Sequence, residues 1–253
     1  MKKTENSVNT IAVIQARQNS KRLHEKCFKT LMGKAVLSHI IKRAQAIEGV
    51  SQVIVATGDA NANKDIIALA ESEGAVALPG SETNVLERYY NASQLYDCDY
   101  IVRITGDNPF TDVDYANMAI EYAIETDADL ASVTNIPLGT AVEVIKKEAL
   151  ADCYKNASEA HHFEHVTPYI KENEHIFNIC RKPVFIYNNI PDLRLTIDTK
   201  EDYELACELY NALYNEDSIF SLHQILNHLR LFPDMALINS EIKQRPMTHC
   251  ENG

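Results

Sequence analysis

Glycine is scarce in this 253-residue chain, which has only 8 of them. They are so widely spaced that neither G-x-G-x-x-G nor G-x-x-x-x-G-K-[ST] occurs. The first pattern lets a backbone approach a dinucleotide pyrophosphate, and the second wraps around the phosphates of a nucleoside triphosphate. A dinucleotide fingerprint and a Walker A loop are therefore excluded in their usual forms.

Positive charge is the second deficit. The chain has 24 Lys and Arg against 36 Asp and Glu, which leaves a formal net charge of -12. An acidic surface repels the phosphate backbone of nucleic acids and the anionic surface of membranes. We expect no nucleic-acid partner and no membrane partner, although a local cluster of basic residues can bind a small anion such as a nucleotide.

Long apolar runs and closely spaced cysteines are also lacking. No stretch approaches the ~18 apolar residues of a membrane-spanning helix, and the first residues lead into no apolar signal segment. The six cysteines include no C-x-x-C pair and are too dispersed for a small disulfide scaffold. These absences predict a cytoplasmic protein with reduced thiols.

Short apolar runs alternate with helical patterns through the N-terminal half, which is typical of β-α-β units and a parallel sheet. From about residue 130 the alternation loosens, and no linker or internal repeat divides the chain. We predict an α/β fold in a single domain of residues 1–253, with an inserted subregion at about 139–187. The predicted strands are 10–15, 53–56, 75–78, 100–104, 130–133, 176–180, 184–187 and 193–197. The predicted helices are 36–46, 66–73, 85–96, 148–154, 158–171, 201–213 and 222–229.

A concentrated group of cations follows the first predicted strand. Arg17, Lys21, Arg22 and Lys26 occur within one short loop of an otherwise acidic protein. Ligands of parallel sheets bind at the carboxyl ends of the strands, where this loop begins. Arginine offers a planar fork of donors to phosphate oxygens, and lysine offers a point charge. The loop is either an anion-binding site or a solvated basic loop.

Two aspartates directly follow predicted strands. Asp107 comes after the strand that ends near residue 104, and Asp198 comes after the strand that ends near residue 197. Two carboxylates at strand ends, facing a basic loop, suit a Mg²⁺ ion held between protein and phosphate oxygens. The alternative is helix capping, a role for which Asp112, Asp114 and Thr199 are also candidates.

Five blocks of sequence stand out together: residues 17–26, 80–90, 102–107, 164–170 and 195–202. In this order they resemble the cytidylyltransferases of spore coat polysaccharide biosynthesis. That family is related to the 3-deoxy-manno-octulosonate and acylneuraminate cytidylyltransferases. The first block resembles the family loop R-x-G-S-x-R-L-P-G-K, and the resemblance as a whole extends from about residue 11 to residue 247.

The resemblance implies a Rossmann-like nucleotidyltransferase of the glycosyltransferase-A type, with a mostly parallel sheet flanked by helices. In such an enzyme an acceptor oxygen attacks the α-phosphorus of CTP, which releases pyrophosphate and leaves a CMP conjugate. The resemblance also implies Mg²⁺ as cofactor, a small acidic acceptor and a role in surface glycan biosynthesis. It further implies a homodimer that pairs through the inserted subregion.

The resemblance assigns residue roles by position, and these agree with the cationic loop and the paired aspartates. Nucleotide transfer is catalysed mainly by positioning and by neutralising charge on phosphate oxygens. The predicted nucleotide-binding residues are Arg17, Ser20, Arg22, Lys26, Ser81, Arg88 and Arg103. The predicted catalytic residues are Lys26, Arg22 and Asp107, the predicted acceptor-binding residue is His165, and the predicted Mg²⁺ ligands are Asp107 and Asp198.

The sequence departs from the family pattern at four positions. Asn19 replaces the loop glycine, His24 and Glu25 replace the Pro-Gly pair before the lysine, and Asn84 replaces an aspartate. Asparagine tolerates positive φ better than most residues, so we expect the turn at position 19 to survive. Glu25 adds a negative charge near the predicted triphosphate.

A histidine cluster at residues 161–165 is a weaker candidate for chemistry. His161 and His165 have the i,i+4 spacing that can bind zinc on a helix, with His162 and Glu164 between them. The pattern is not H-E-x-x-H, so the alternatives are an acceptor-pocket role for His165 and purely structural histidines.

Two alternative functions also remain. Asp97 and Asp99 form a D-x-D pattern, as in glycosyltransferases that use nucleotide sugars, although they precede a predicted strand instead of following one. The altered loop also allows a catalytically weak nucleotide-binding subunit. Pyrophosphate release from CTP in the presence of a sugar acid distinguishes the cytidylyltransferase from both alternatives.

Overall fold

The computed structural model describes residues 8–18, 23, 25–186, 190 and 192–244. Two predicted site residues, Ser20 and Arg22, lie outside the described residues, as do Asn19, Lys21 and His24 of the same loop. Among the described residues, no helix combines the length and the apolar character needed to cross a bilayer.

The described residues form alternating strands and helices. The strands are β1 (Thr10–Gln15), β2 (Thr30–Leu31), β3 (Lys34–Ala35), β4 (Val50–Thr57), β5 (Val76–Pro79), β6 (Tyr100–Thr105), β7 (Leu130–Thr134), β8 (Glu143–Lys146) and β9 (Ile179–Pro183). The helices are α1 (Val36–Gln45), α2 (Lys64–Ser72), α3 (Val85–Leu95), α4 (Val113–Thr126), α5 (Lys147–Asn156), α6 (Ala160–His165), α7 (Pro168–Glu172), α8 (Lys200–Leu213) and α9 (Leu222–Leu231). Short 3₁₀ helices lie at Lys26–Phe28 and Pro233–Leu237.

Seven of the strands form one sheet in the order β5-β4-β1-β6-β8-β7-β9, and β2 pairs with β3 in a separate hairpin. Strand β1 pairs in parallel with β4 and β6, β4 with β5, and β7 with β9. Strand β8 is antiparallel to both of its neighbours. The predicted fold class is confirmed, because the sheet is mostly parallel and helices cover it.

Burial on both faces explains the continuous apolar character of the central strand. The side chains of β1 from Ile11 to Ile14 are fully buried. Leu37 and Ile41 of α1 belong to the core on one face, whereas Leu86 and Tyr89 of α3 belong to the core on the other. A parallel strand covered on both sides needs apolar residues at successive positions, not at alternate ones.

Every strand and helix predicted up to residue 105 is present, with ends that differ by a few residues. Two elements were not predicted from the sequence: strand β8 of the sheet, and helix α4, which packs on the sheet. The four residues of β8 are too few to give a periodic signal, and Glu143 and Lys146 at its ends are not typical strand residues. Strand β9 is present but begins at Ile179, three residues later than predicted.

The strands predicted at 184–187 and 193–197 are wrong for the described residues. Residues 184–186 are not in a strand, and residue 187 lies outside the described part. Residues 193–197 are buried, but their backbone bonds to loops: Leu195 donates to the Leu138 carbonyl, and Ile197 donates to the Asp107 carbonyl. Their apolar character reflects burial under loops, which a single sequence cannot distinguish from burial in a sheet.

The predicted helix 158–171 is interrupted between α6 and α7. Pro168 occupies the first position of α7. Proline lacks an N–H and its ring clashes with the carbonyl four residues earlier, so the helix cannot run through it unbroken.

Candidate functional site

The loop after β6 turns sharply against the end of β1. The Gly106 N–H donates a 2.8 Å hydrogen bond to the Gln15 carbonyl, and a Cβ at position 106 would lie 2.8 Å from the same oxygen. Glycine is needed for this close approach. The turn places Asp107 just beyond the carboxyl ends of the strands, where parallel sheets bind ligands.

A segment from the C-terminal part of the chain packs against Asp107. The Ile197 N–H donates a 2.8 Å hydrogen bond to the Asp107 carbonyl. Gly139 allows this packing, because it has a φ of +91° and a Cβ there would overlap the Leu195 carbonyl. These contacts bring Asp198, the residue after Ile197, beside Asp107.

The ammonium group of Lys26 lies between the two aspartates. Its Nζ donates to Asp107 Oδ2 at 2.7 Å and to Asp198 Oδ1 at 3.2 Å. The side chains of Lys26, Asp107 and Asp198 are only 16%, 23% and 9% exposed. The structure therefore brings three predicted site residues together, and Lys26 is not a solvated loop lysine.

Helix capping does not explain the two aspartates. The side chain of Asp112 caps α4, and the hydroxyl of Thr199 caps α8, each by accepting a backbone N–H from the first turn. Neither Asp107 nor Asp198 caps a helix.

Burial and ion pairing act in opposite directions on these groups. Burial alone would raise the pKa of the Asp107 carboxyl, but the Lys26 ammonium outweighs burial and holds this pKa below its usual range. Burial alone would lower the pKa of Lys26, but Asp107 and Asp198 outweigh it and raise this pKa. Both groups are therefore charged at neutral pH. Burial also raises the pKa of the neighbouring Cys27 thiol to about 11, so this thiol is protonated and unsuited to nucleophilic chemistry.

Arg194 supports Asp198 from the side opposite Lys26, and sequence reasoning missed it. Its Nη2 lies 3.5 Å from Asp198 Oδ2 and 3.2 Å from Asp202 Oδ2. Asn239 donates to the other oxygen of Asp202 at 2.8 Å. A signal was present, because Arg194 is an isolated cation within a buried apolar run and needs a carboxylate there.

Two predicted nucleotide-binding residues, Ser81 and Arg88, lie just before and within α3, in the segment that the family resemblance assigns to the base and ribose. Asn84 caps this helix by accepting the Glu87 N–H at 2.9 Å, and its own N–H donates to Ser81 Oγ at 3.0 Å. Asn84 therefore performs the capping that an aspartate would perform. Arg88 is 2% exposed, donates to the Ala56 carbonyl at 3.3 Å, and has a buried Nε without a hydrogen-bond partner in the described part of the chain.

A hydrogen-bonded network next to this segment was not predicted from the sequence. The buried Asn63 side chain accepts the Gln18 N–H at 2.9 Å and donates to Glu82 Oε1 at 2.7 Å. The same Glu82 oxygen accepts the Asp59 N–H at 3.0 Å. The network ties the start of the cationic loop to the segment that contains Ser81.

The two described ends of the cationic loop differ in their contacts. Arg17 is 46% exposed, and its Nη2 lies 3.9 Å from Glu164 Oε1 on α6. Glu25 has a φ of 51° and a ψ of 34°, which is the left-handed conformation. Glutamate therefore adopts here a conformation that favours glycine, which is the residue of the family pattern at this position.

Glu143 of β8 contacts two cations and a hydroxyl group. The sequence analysis did not identify this residue. It lies 3.1 Å from Arg103 Nη1 and 2.5 Å from Lys171 Nζ, and it accepts the Thr167 hydroxyl at 3.0 Å. Burial alone would raise the pKa of Glu143, but Arg103 and Lys171 outweigh burial and lower it. No sequence signal pointed to Glu143, because its partners lie on β6 and α7.

A strained turn places His165 at the end of α6. Val166 has a φ of 72° and a ψ of -54°, and the Thr167 N–H donates to the His165 carbonyl at 2.9 Å. This is the strained form of the γ-turn, and a β-branched residue with positive φ is an outlier of the kind that clusters at functional sites. Burial lowers the pKa of His165, and nearby Arg103 adds to this effect.

The alternative in which His161 and His165 pair as zinc ligands does not match the groups that the described residues bring together. Instead, His161 Nε2 and His162 Nε2 lie 2.6 Å and 2.8 Å from the two carboxylate oxygens of Glu172. His162 Nδ1 accepts two backbone N–H groups, so its Nε2 carries the proton and donates to Glu172. A metal on Nε2 would require a fully deprotonated ring, so the geometry favours a structural role for this cluster.

The D-x-D pattern lies at the amino ends of the strands, whereas Asp107 lies at their carboxyl ends. Asp97 and Asp99 immediately precede β6, whereas Asp107 follows it. Asp99 Oδ2 accepts the Asn9 N–H, just before the start of β1, at 2.8 Å. The pair is therefore too far along the strands to join the Asp107–Asp198 site, which argues against the glycosyltransferase hypothesis.

Comparison with known proteins gives one sequence family and a consistent fold. The sequence model of the family described as "Cytidylyltransferase" matches residues 11–225. The spore coat polysaccharide biosynthesis protein SpsF of Bacillus subtilis is 30% identical over 229 residues, which cover 88% of this chain and 95% of SpsF.

Two solved structures have the same fold. A cytidylyltransferase of Leptospira borgpetersenii superposes with a TM-score of 0.83 and 23% identity, covering 94% of this chain and all of its own. A CMP:2-keto-3-deoxy-manno-octonic acid synthetase complexed with CTP has a TM-score of 0.64 and 16% identity, covering 81% of this chain and all of its own. The Rossmann-like nucleotidyltransferase architecture is therefore confirmed.

Proposed function

Because this chain belongs to the cytidylyltransferase family, a family of nucleotidyltransferases, we propose that it transfers CMP from CTP to a small acidic acceptor. The second product is pyrophosphate, the cofactor is Mg²⁺, and the CMP conjugate serves surface glycan biosynthesis. The relative from Bacillus subtilis, described as a spore coat polysaccharide biosynthesis protein, supports the last point.

The observation that carries this proposal is the convergence of Asp107, Asp198 and Lys26 at the carboxyl edge of the sheet. In the proposed reaction Lys26 and Arg17 neutralise phosphate oxygens, with Ser20 and Arg22 assigned to the same task on sequence grounds. Ser81 and Arg88 are assigned to the base and ribose on the same sequence grounds. Preformed positive charge at the phosphates is what lowers the barrier to nucleotidyl transfer.

Asp107 and Asp198 are suited to hold Mg²⁺. Their carboxylates come from different loops and already share one cation, the Lys26 ammonium. An all-oxygen donor set of this kind is what Mg²⁺ prefers. When bound, the ion would supply positive charge that offsets the charge developing on the phosphates.

The acceptor is expected beside His165. Arg103 and Lys171 place positive charge near this residue, Glu143 pairs with both cations, and the Glu164 carboxylate also lies nearby. A carboxylate or phosphate group of an acidic acceptor is suited to pair with the two cations. The predicted nucleotide contact of Arg103 stays a prediction, since its guanidinium is engaged by Glu143.

The decisive experiment is a matrix of CTP, UTP, ATP and GTP against acidic acceptors, monitored by pyrophosphate release. The acceptor set contains a 3-deoxy sugar acid, a sugar phosphate, a polyol phosphate and a phosphonate. We expect release with CTP, loss of release with a chelator, and recovery with Mg²⁺. CTP binding without pyrophosphate release for any acceptor would instead identify a catalytically inactive nucleotide-binding subunit.

We also propose that the enzyme is a cytoplasmic homodimer. Among the strands of the described residues, β9 is the last of the sheet and pairs with β7 on one side. Phe185, just after it, is 91% exposed, and Ile176, just before it, is 60% exposed. A two-fold partner would cover the open edge and both apolar side chains with one repeated surface.

A further inference from the structure

Lys26 holds the place between two carboxylates that we assign to a metal ion. Its Nζ lies 2.7 Å from Asp107 Oδ2 and 3.2 Å from Asp198 Oδ1. The adjacent Cys27 is 1% exposed, and its Sγ lies 3.8 Å from the Gly106 carbonyl. Since Cys27 anchors the backbone beside the Asp107 turn, this contact of Lys26 is part of the fold and not a chance approach of a surface lysine.

Both carboxylates already pair with a cation in this arrangement. Asp198 forms an ion pair with Lys26 through Oδ1 and with Arg194 through Oδ2. Asp107 forms an ion pair with Lys26 through Oδ2. A divalent cation entering alone would face the Lys26 ammonium at close range in a site of low exposure, where charges of like sign repel strongly.

A triphosphate changes this balance. It offers the ammonium several negatively charged oxygens, so Lys26 can exchange its carboxylate partners for phosphate partners without losing its ion pairs. The lysine stem has four rotatable bonds and can reorient while its backbone stays anchored. Asp107 and Asp198 then become accessible to a cation.

We propose that Lys26 is a resident cation that makes metal binding at Asp107 and Asp198 conditional on bound nucleotide. The inference rests on the proposed function in one respect, since it takes the two aspartates as the metal ligands. It adds a coupling: nucleotide raises the affinity for the metal, and by linkage the metal raises the affinity for the nucleotide by the same factor. Removing the ammonium removes the part of the coupling that Lys26 carries and leaves the part that comes from direct contact between metal and phosphate.

The test is a titration with Mn²⁺ in the absence of nucleotide, followed by electron paramagnetic resonance. Lys26→Met keeps most of the length of the side chain and removes its charge. We expect Lys26→Met to bind Mn²⁺ about 10-fold or more tightly than the wild type, since one unit of positive charge is lost from the site. Adding Asp107→Asn to Lys26→Met should abolish this gain.

Lys29→Met is the matched control. Lys29 lies three positions away and contacts the ring of Tyr203, at 4.9 Å, instead of the aspartates. Lys29→Met changes the net charge by the same amount as Lys26→Met. Its Mn²⁺ affinity should therefore stay within about 2-fold of the wild type if Lys26 acts locally. Equal gains for Lys26→Met and Lys29→Met, or no gain for either, would overturn the inference.

A second variant covers the case in which Lys26→Met does not fold. Lys26→Gln keeps hydrogen-bond donors toward the carboxylates without a charge, and Mn²⁺ should then raise its melting temperature while leaving that of the wild type unchanged. The wild type is also titrated with Mn²⁺ and CTP together, with water proton relaxation used to detect the ternary complex. Wild-type binding of Mn²⁺ that is equally tight with and without CTP would overturn the coupling and leave the proposed function standing. Failure of every variant to bind Mn²⁺, with or without CTP, would overturn both.

Discussion

At the scale of single residues, Asp107 carries the most specific expectation. It is held at the site by the glycine turn before it and by the Ile197 hydrogen bond to its carbonyl. We predict that Asp107→Ala lowers the turnover of CTP by about 10²-fold or more, as expected for loss of a main electrostatic contributor. The measurement is pyrophosphate release, with Asp97→Ala at the opposite edge of the sheet as the control. A rate within a few-fold of wild type would refute the assignment of Asp107 as a metal ligand.

Lys26→Ala should weaken the use of CTP, seen as a lower kcat/KM, because a phosphate contact is lost. From the sequence alone we expect this change to leave stability unaffected, but the ion pairs with Asp107 and Asp198 contradict that expectation. We now predict a loss of stability at neutral pH, since two partly buried carboxylates lose a shared cation. An unchanged kcat/KM for CTP would leave Lys26 with a structural role.

The stability lost in Lys26→Ala should depend on pH. Pairing depresses the folded-state pKa of Asp107, so its contribution is complete above the unfolded pKa of about 4 and disappears as the pH falls through the folded pKa. The raised pKa of Lys26 gives a contribution that is complete below the unfolded pKa of about 10 and is lost as the pH rises through the folded pKa. Urea unfolding of both proteins from pH 7 into acid should therefore show the difference in unfolding free energy shrinking as the pH falls.

Glu25 offers a test of backbone strain that does not depend on its side-chain contacts. Glu25→Ala and Glu25→Gly both remove the carboxylate, but only alanine keeps a Cβ in the left-handed conformation. We predict that the glycine variant is more stable than the alanine variant by about 1 kcal/mol, as measured by urea unfolding. Equal stabilities would mean that position 25 leaves the left-handed region in solution.

At the scale of secondary-structure elements, the α6–α7 junction depends on one carboxylate. Glu143 joins Arg103 of β6 to Thr167 and Lys171 of the junction. The γ-turn at Val166 directly precedes Thr167 and so adjoins these contacts. Glu143→Gln keeps an acceptor for Thr167 but loses both ion pairs. We predict a loss of about 3 kcal/mol of unfolding free energy, because two partly buried cations lose their counter-ion.

The control for this prediction is Glu174→Gln. Glu174 pairs with Arg181 at 2.6 Å, but the two side chains are 55% and 47% exposed. Surface pairs of this kind contribute about 0–1 kcal/mol, so the control should unfold almost as the wild type does. Equal losses for the two variants in thermal or urea unfolding would show that Glu143 is not a structural counter-ion.

At the scale of the whole molecule, the expected assembly is a two-fold dimer through the edge at β9. Light scattering at micromolar concentration should give a mass near twice the 28.5 kDa of the chain. Phe185→Asp should shift the mass toward that of one chain, because a charge would be buried in the interface. Leu231→Asp at the end of α9, which also changes an exposed apolar side chain (66%) but lies outside the proposed surface, should leave the mass unchanged. A wild-type mass of 28.5 kDa that does not rise with concentration would exclude the dimer.

Local sequence was sufficient where one element carries its own signal. The apolar runs of β1 and β6, the glycine that allows the turn before Asp107, and the cap at Thr199 are all readable from neighbouring residues. They placed Asp107 and the cationic loop at the same edge of a parallel sheet. The resemblance between ordered blocks then identified the family and predicted the reaction.

Tertiary structure alone decided which charges meet. Lys26 reaches Asp107 across 81 residues and Asp198 across 172, and no local pattern encodes such distances. Glu143 is one residue of a four-residue antiparallel strand, so neither its place in the sheet nor its partners could be predicted. Backbone geometry is set by a few neighbouring residues, whereas the balance of burial against ion pairing depends on segments that become neighbours only when the chain has folded.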